Sequence, residues 1–283
     1  MPAVHRRARA QLAGKMFYHV RLAMVLIISP LVTIARAETL PSPSDFMKVS
    51  GVPPASLTVI EPHESRPGHP VEIAYRAFPA SALLSAALGA DWDAKADGIL
   101  FRARDGYVSS VAIAPLKSGK AWLAFARADG SPFTVDNLDQ GETNVPLGPY
   151  YLIWDNRADS DWAEKGSTDW PYQVTSVTSA APETALRPPG FDPAFEPGLD
   201  KAQVRCLPCH RVNGYGGEKE SGDLAEIARG LPRATFLQWV LAPAKVEPST
   251  TMPPMSPNLP EGDRQADARA IYDYLSHVPP VSR

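Results

Sequence analysis

The sequence predicts an α+β protein, with a β-dominated amino-terminal domain over residues 41–179 followed by an all-α domain over residues 195–283. Three observations carry this expectation. Short runs rich in β-branched and aromatic residues recur through the first stretch, separated by Asp-Gly and Pro-Gly turns. A long amphipathic pattern from Glu261 to His277 closes the second, with Ala266, Ala270, Ile271, Tyr274 and Leu275 as its apolar side. Between them, residues 180–194 are rich in proline (Pro182, Pro188, Pro189) and read as an extended, semi-rigid linker.

The chain begins with a segment that does not belong to either fold. Arg6, Arg7, Arg9, Lys15 and Arg21 make a basic leader with no acid before Glu38. An apolar run from Leu22 to Ile34 follows, then Ala35-Arg36-Ala37, a small-x-small cleavage site. The run is short for a membrane span and Pro30 interrupts it, so residues 1–37 read as a signal peptide cleaved near Ala37. The expected location is therefore the periplasm, with no stable membrane span after cleavage. The whole chain carries a net charge of −3, and the leader holds six Lys/Arg, so the remainder carries −9. Both sides of Pro189 are acidic, which disfavours a nucleic-acid partner and favours the approach of a basic one.

In the first domain the expected strands are Leu57 to Ile60, Val71 to Tyr75, Gly98 to Arg102, Val108 to Ile113, Trp122 to Arg127 and Tyr150 to Trp154. One helix is expected from Pro79 to Leu88, where Ala and Leu dominate. His63 and His69 flank Pro67-Gly68, and the pair reads as an ordinary surface loop. A metal site there needs a third ligand such as Glu61 or Glu64. Trp154, Trp162 and Trp170 recur every eight residues, a spacing that fits core and loop-anchoring packing, with an aromatic binding face as the alternative. The acid-rich stretch from Asp155 to Asp169 reads as a solvated loop.

The second domain holds the chain's two cysteines, in Cys206-Leu207-Pro208-Cys209-His210. This is C-x-x-C-H, the attachment signature of c-type haem. Two thiols one turn apart reach two vinyl groups on the same porphyrin edge, and the adjacent His210 presents its imidazole to the iron. A zinc site needs a second ligand pair, and no further cysteine exists to supply it. A short helix from Phe195 to Val204 leads into the motif, with Gly198 placed for close helix contact. Beyond it, Asn213-Gly214-Tyr215-Gly216-Gly217 reads as a flexible loop, Leu224 and Ile227 open an apolar stripe, and Phe236, Leu237, Trp239 and Val240 form a covering helix. Met252 sits in a Pro-rich loop directly before Pro253, where a rigid backbone can hold a thioether against the iron. Met255 is its rival as distal ligand, and His277 is a third choice.

On these residues the stretch from Phe195 to Val278 resembles the class I cytochrome c family, in which a glycine of the first helix meets an aromatic of the last; Gly198 and Tyr274 match that pair. The resemblance implies one covalent haem c held by Cys206 and Cys209, with His210 and Met252 as axial ligands. It departs at Gly222, where many members have a proline whose carbonyl orients the proximal histidine.

Several phrases of the first domain resemble the molybdopterin-binding domain of the sulfite oxidase superfamily. They are Phe78-Pro79-Ala80-Ser81-Ala82-Leu83-Leu84, Ala103-Arg104-Asp105-Gly106-Tyr107, Leu123-Ala124 with Asp129-Gly130, Gly148-Pro149-Tyr150-Tyr151-Leu152 and Trp170-Pro171-Tyr172-Gln173-Val174. Catalytic members bind molybdenum through a cysteine thiolate, and both cysteines here are assigned to haem, so no molybdenum cofactor is expected. The resemblances together imply a periplasmic carrier of single electrons for a redox enzyme, an acceptor protein or a respiratory chain, with the first domain used for docking and no catalytic residue. The alternatives are a haem–molybdenum oxidoreductase of sulfite dehydrogenase type and a haem sensor or peroxidase.

Overall fold

In the computed structural model, residues 37–281 are described, apart from Lys95, Ala181, Pro182 and Ser256. The expected signal peptide lies outside the described residues. Most of the β structure lies in two antiparallel four-stranded sheets. One has the order β1 (Glu38–Thr39), β10 (Val174–Ser179), β4 (Gly98–Ala103), β5 (Val108–Ala112). The other runs β2 (Ala55–Ile60), β3 (Glu72–Pro79), β6 (Ala121–Arg127), β9 (Tyr151–Trp154). A hairpin of β7 (Thr134–Asn137) and β8 (Glu142–Pro146) stands beside them.

The second sheet is buried on both faces, and its alternating residues explain why. Phe78, Leu123 and Leu152 pair across β3, β6 and β9 and enter one hydrophobic cluster with Ile99, Phe101 and Val177 of the first sheet. Ala77, Ala124 and Tyr151 pair in the adjacent row and enter a second cluster with Val59, Ile73 and Trp170. A period of two thus feeds two cores from one sheet. Leu83 and Leu84 of α2 (Ala80–Leu88) pack into the first cluster, as does Phe46 of α1 (Pro43–Ser50). Ser42 caps α1 by accepting from the Asp45 amide, and Gly51 ends it at φ 66°. The short helices α3 (Ile113–Lys117) and α4 (Trp162–Lys165) lie in the connections.

Helices α5 (Glu196–Arg205), α6 (Leu224–Gly230), α7 (Arg233–Leu241), α8 (Pro243–Val246) and α9 (Glu261–His277) enclose a third cluster. The α9 face that turns inward is Ala268, Ile271, Tyr274 and Leu275, whereas Ala266 is exposed, which corrects the N-terminal end of the expected stripe. At the α5–α9 crossing a Cβ on Gly198 would lie 2.1 Å from the Ala270 carbonyl oxygen and 2.9 Å from Tyr274 Cβ. No side chain fits in that gap.

The expected separate all-α domain is not what forms. The segment contains its own hairpin, β11 (Arg211–Val212) and β12 (Tyr215–Gly216), and the contacts join Ala35–Arg283 into one compact unit of mixed α/β structure. The hairpin has a plain cause. Asn213 and Gly214 take φ 52° and 81°, the left-handed pair that a two-residue hairpin turn requires, so the stretch read as a flexible loop is a turn. Asn213 is also tied at four points: its amide donates to Asp223 Oδ2, its Nδ2 to the Ala185 and Pro279 carbonyls, and its Oδ1 accepts from the Val281 amide. Leu186, within the expected linker, is fully buried in the helical cluster.

The Gly198 contact supports a direct test. Gly198→Ala should lower unfolding free energy by at least about 1–3 kcal/mol despite the better helix propensity of alanine. Gly262→Ala, where an added Cβ meets nothing within 4 Å, should not lower it. Urea unfolding of both variants checks the difference.

Candidate functional site

The Cys-x-x-Cys-His segment begins where α5 ends. Cys206 is the C-cap residue, and its amide bonds to the Ala202 carbonyl; the His210 amide then bonds to the Cys206 carbonyl at 2.9 Å, continuing the turn. The backbone of this segment is gripped from two sides. On one side a Cβ at Gly216 would approach the His210 oxygen to 2.3 Å, and one at Gly217 would approach the Pro208 oxygen to 2.1 Å. On the other, the β4–β5 turn docks on it: the Val108 amide donates to the Pro208 carbonyl at 2.8 Å, and the Glu218 amide to the Gly106 carbonyl at 2.9 Å. Gly106 takes φ 90° there, and a Cβ would lie 2.8 Å from the Glu218 carbonyl carbon. Asp105 and Lys219 complete the seam with an ion pair at 3.0 Å.

Cys206, Cys209 and His210 line one cavity of about 460 Å³, within the range of ligand pockets. Its apolar wall comes from α6, α7 and the loop before α9: Leu224, Ile227, Phe236, Trp239, Val240 and both candidate distal ligands, Met252 and Met255. Asp223 caps α6 by accepting from the Ala225 and Glu226 amides, which places Leu224 at the wall. The loop carrying the methionines is pinned at Met255, whose amide donates to the Val240 carbonyl at 2.8 Å and whose carbonyl accepts from Arg264 Nε at 3.0 Å. Met255 is buried and Met252 half-buried. His277 does not line this cavity; it is exposed, bonded to the Asp273 carbonyl and stacked on Phe195.

The residues fit a haem. Two thiols and an imidazole from one turn face an apolar chamber with two thioethers on its wall, and His210 Nδ1 is buried with no hydrogen-bond partner among the described residues. The Gly222 carbonyl, at the position of the family's orienting proline, does not bond to it. Burial pushes the Cys206 thiol up to about 12 and Cys209 up to about 11, and it lowers His210, leaving a neutral imidazole and two protonated thiols at neutral pH.

The β-rich part supplies the rest of the lining, including Tyr107, Trp170, Tyr172 and His63. Here the surface-loop expectation is corrected. His63 is only 4% exposed and Glu61 is fully buried at the end of β2. Glu61 Oε1 accepts from His63 Nδ1 at 2.9 Å, the His63 amide at 3.1 Å and Tyr151 Oη at 2.8 Å, while Oε2 accepts from Tyr75 Oη at 2.8 Å. Burial alone would raise the Glu61 carboxyl, but the bond and charge of His63 and the bond from Tyr75 outweigh it and hold the group below its usual range. Sequence spacing suggested Glu61 as a partner for His63; it carried no sign of Tyr75 and Tyr151, which reach Glu61 only through sheet pairing. Trp170 is buried in the core, whereas Trp154 is half-buried and donates to the Asp169 carbonyl. Among the described residues no group of three or more His, Cys, Asp or Glu is placed to hold a metal ion, and no helix is long and apolar enough to cross a membrane.

No family model matches the chain, and no curated protein and no solved structure matches it.

The Glu61 cluster sets an acid dependence. The folded pKa lies below the ordinary 4.5, so its stabilisation is complete above that pH and is lost as pH falls through the folded value. Glu61→Gln should cost about 1–3 kcal/mol at pH 7, and the gap to the parent should narrow below the ordinary carboxyl pKa. Urea unfolding at a series of pH values reads both.

Proposed function

We propose that the chain is an exported monohaem c-type cytochrome that carries single electrons for a periplasmic redox enzyme, acceptor protein or respiratory chain. The observation that carries this reading is the convergence of Cys206, Cys209, His210 and Met252 on one largely apolar cavity. A haem bound there supplies reversible one-electron transfer. Cys206 and Cys209 would hold it by adding their S–H groups across its two vinyl substituents, which forms two thioethers and consumes no oxidant. His210 would hold the iron from the side of the motif, and Met252 from the Pro-rich loop. Leu224, Phe236, Trp239 and Val240 line the cavity and would keep water from a haem held there.

The competing reading of a C-x-x-C pair is thiol–disulfide exchange. Active exchange thiols sit at helix N-termini, where the dipole stabilises thiolate. Cys206 instead ends α5, and both thiols are pushed up rather than down. The β-rich part shares the cavity wall through Tyr107, Trp170 and Tyr172, which supports a place for it in the approach of the redox partner. The reading takes the electron carrier over the haem–molybdenum enzyme, because no cysteine remains for molybdenum.

Protein exported with a haem-attachment system should show one covalent haem per chain by pyridine haemochrome and intact mass, and Cys206→Ala with Cys209→Ala should abolish it. Met252→Ala should open the sixth position to carbon monoxide, while Met255→Ala should not. The reverse pattern assigns Met255 as the ligand, and carbon monoxide binding by the parent protein would overturn the pure electron-carrier reading.

A further inference from the structure

The cavity has a second, polar side whose residues take no part in the proposed haem attachment. We infer that this side is a recess for a small, neutral, hydroxylated aromatic compound, with His63 as the residue that takes its hydroxyl. His63 is almost fully buried and yet lines the cavity. Its Nδ1 is committed to Glu61, and because an ionised carboxylate only accepts, Nδ1 carries the proton. Nε2 is the polar atom left over, and no described residue bonds to it. The ring is buried, but Nε2 opens on the cavity without a protein partner, so a ligand or water there can bond to it. An imidazole nitrogen held in one orientation by a carboxylate is matched to a hydroxyl, which both donates and accepts.

The neighbouring surfaces select the rest of the molecule. Tyr172 stands edge-on to the His63 ring at 5.5 Å between centroids, and its hydroxyl is braced by Asn137 Nδ2 at 3.3 Å. Trp170 and Tyr107 line the same cavity, so the space beside Nε2 has flat aromatic walls suited to a planar ring. Two of the carboxylates that line the cavity are paired, Asp105 with Lys219 at 3.0 Å and Asp139 with Arg66 at 3.2 Å. Those pairs commit Lys219 and Arg66 to carboxylates, which favours a neutral phenol beside Nε2 over a phosphate or carboxylate.

Calorimetric titration of the full mature protein with phenol, benzene and cyclohexanol tests the assignment. Phenol should bind saturably, and benzene and cyclohexanol at least about tenfold more weakly, the value of roughly one hydrogen bond or one stacked face. His63→Asn retains an amide that can donate to Glu61 but lacks Nε2, and it should reduce phenol affinity by a similar factor. Should that variant fail to fold, Tyr172→Ala on the cavity wall should weaken phenol while the three-ligand comparison in the parent stands alone. Equal binding of benzene and phenol, no saturable binding of phenol, or a folded His63→Asn that binds as the parent does would each overturn the recess. The result is independent of the haem reading, which the haemochrome decides: a chain without haem that still prefers phenol through His63 retains the recess and loses only the cytochrome.

Discussion

The backbone of Leu207 to His210 is the constraint on which the rest of the molecule depends. It is packed so closely that two glycines, Gly216 and Gly217, are the only residues that fit against it from one side. From the other side it takes a hydrogen bond from Val108 while Gly106 admits Glu218. These are main-chain contacts, so they fix position without depending on side-chain rotamers. They also join the first sheet to the helical cluster. The motif is thus an internal joint of one folded unit, and the cavity exists because both parts close over it.

The second determinant is a sheet that packs a hydrophobic cluster on each face. Its two rows of side chains serve two clusters, so a one-residue slip in the register of β9 would exchange Leu152 for Tyr151 and leave a phenol in an apolar core. That same register delivers the Tyr151 hydroxyl to Glu61, and the Tyr75 hydroxyl reaches the carboxylate from β3. Buried charge is tolerable here because four donors surround it. The polar cluster therefore follows from sheet pairing, and His63 is held where it is by the strands that build the core.

Local signals in the sequence carry much of this structure, and its errors share one cause. The long helix α9 coincides with its amphipathic pattern, and α2 and six strands arise where β-rich runs and an Ala-Leu run place them. The thiols and imidazole of the motif were legible because their chemistry demands adjacent positions. What local pattern cannot carry is the pairing of distant segments. The β7–β8 hairpin and β10 are polar enough to resemble loops until their partners are known, and β10 gains its place only from β4 and β1. The division into a β part and a free-standing helical part failed for the same reason, since the Val108–Pro208 and Gly106–Glu218 bonds span about a hundred residues. His63 was misread because an exposed Pro67-Gly68 turn follows a buried Glu-x-His, and only strand pairing buries the first half.

The same packing bears on the reactivity of the two cysteines. Disulfide formation proceeds through thiolate, and thiolate is disfavoured three times over at this position. The pair follows the C-terminal end of α5, where the helix dipole opposes negative charge. Burial removes the water that would stabilise it, and the nearby Asp105 and Glu220 add to the penalty at Cys209 against the help of Lys219. A surface C-x-x-C pair lacks these protections and oxidises readily. The packing that joins the two parts of the chain thus also holds both thiols in their protonated form.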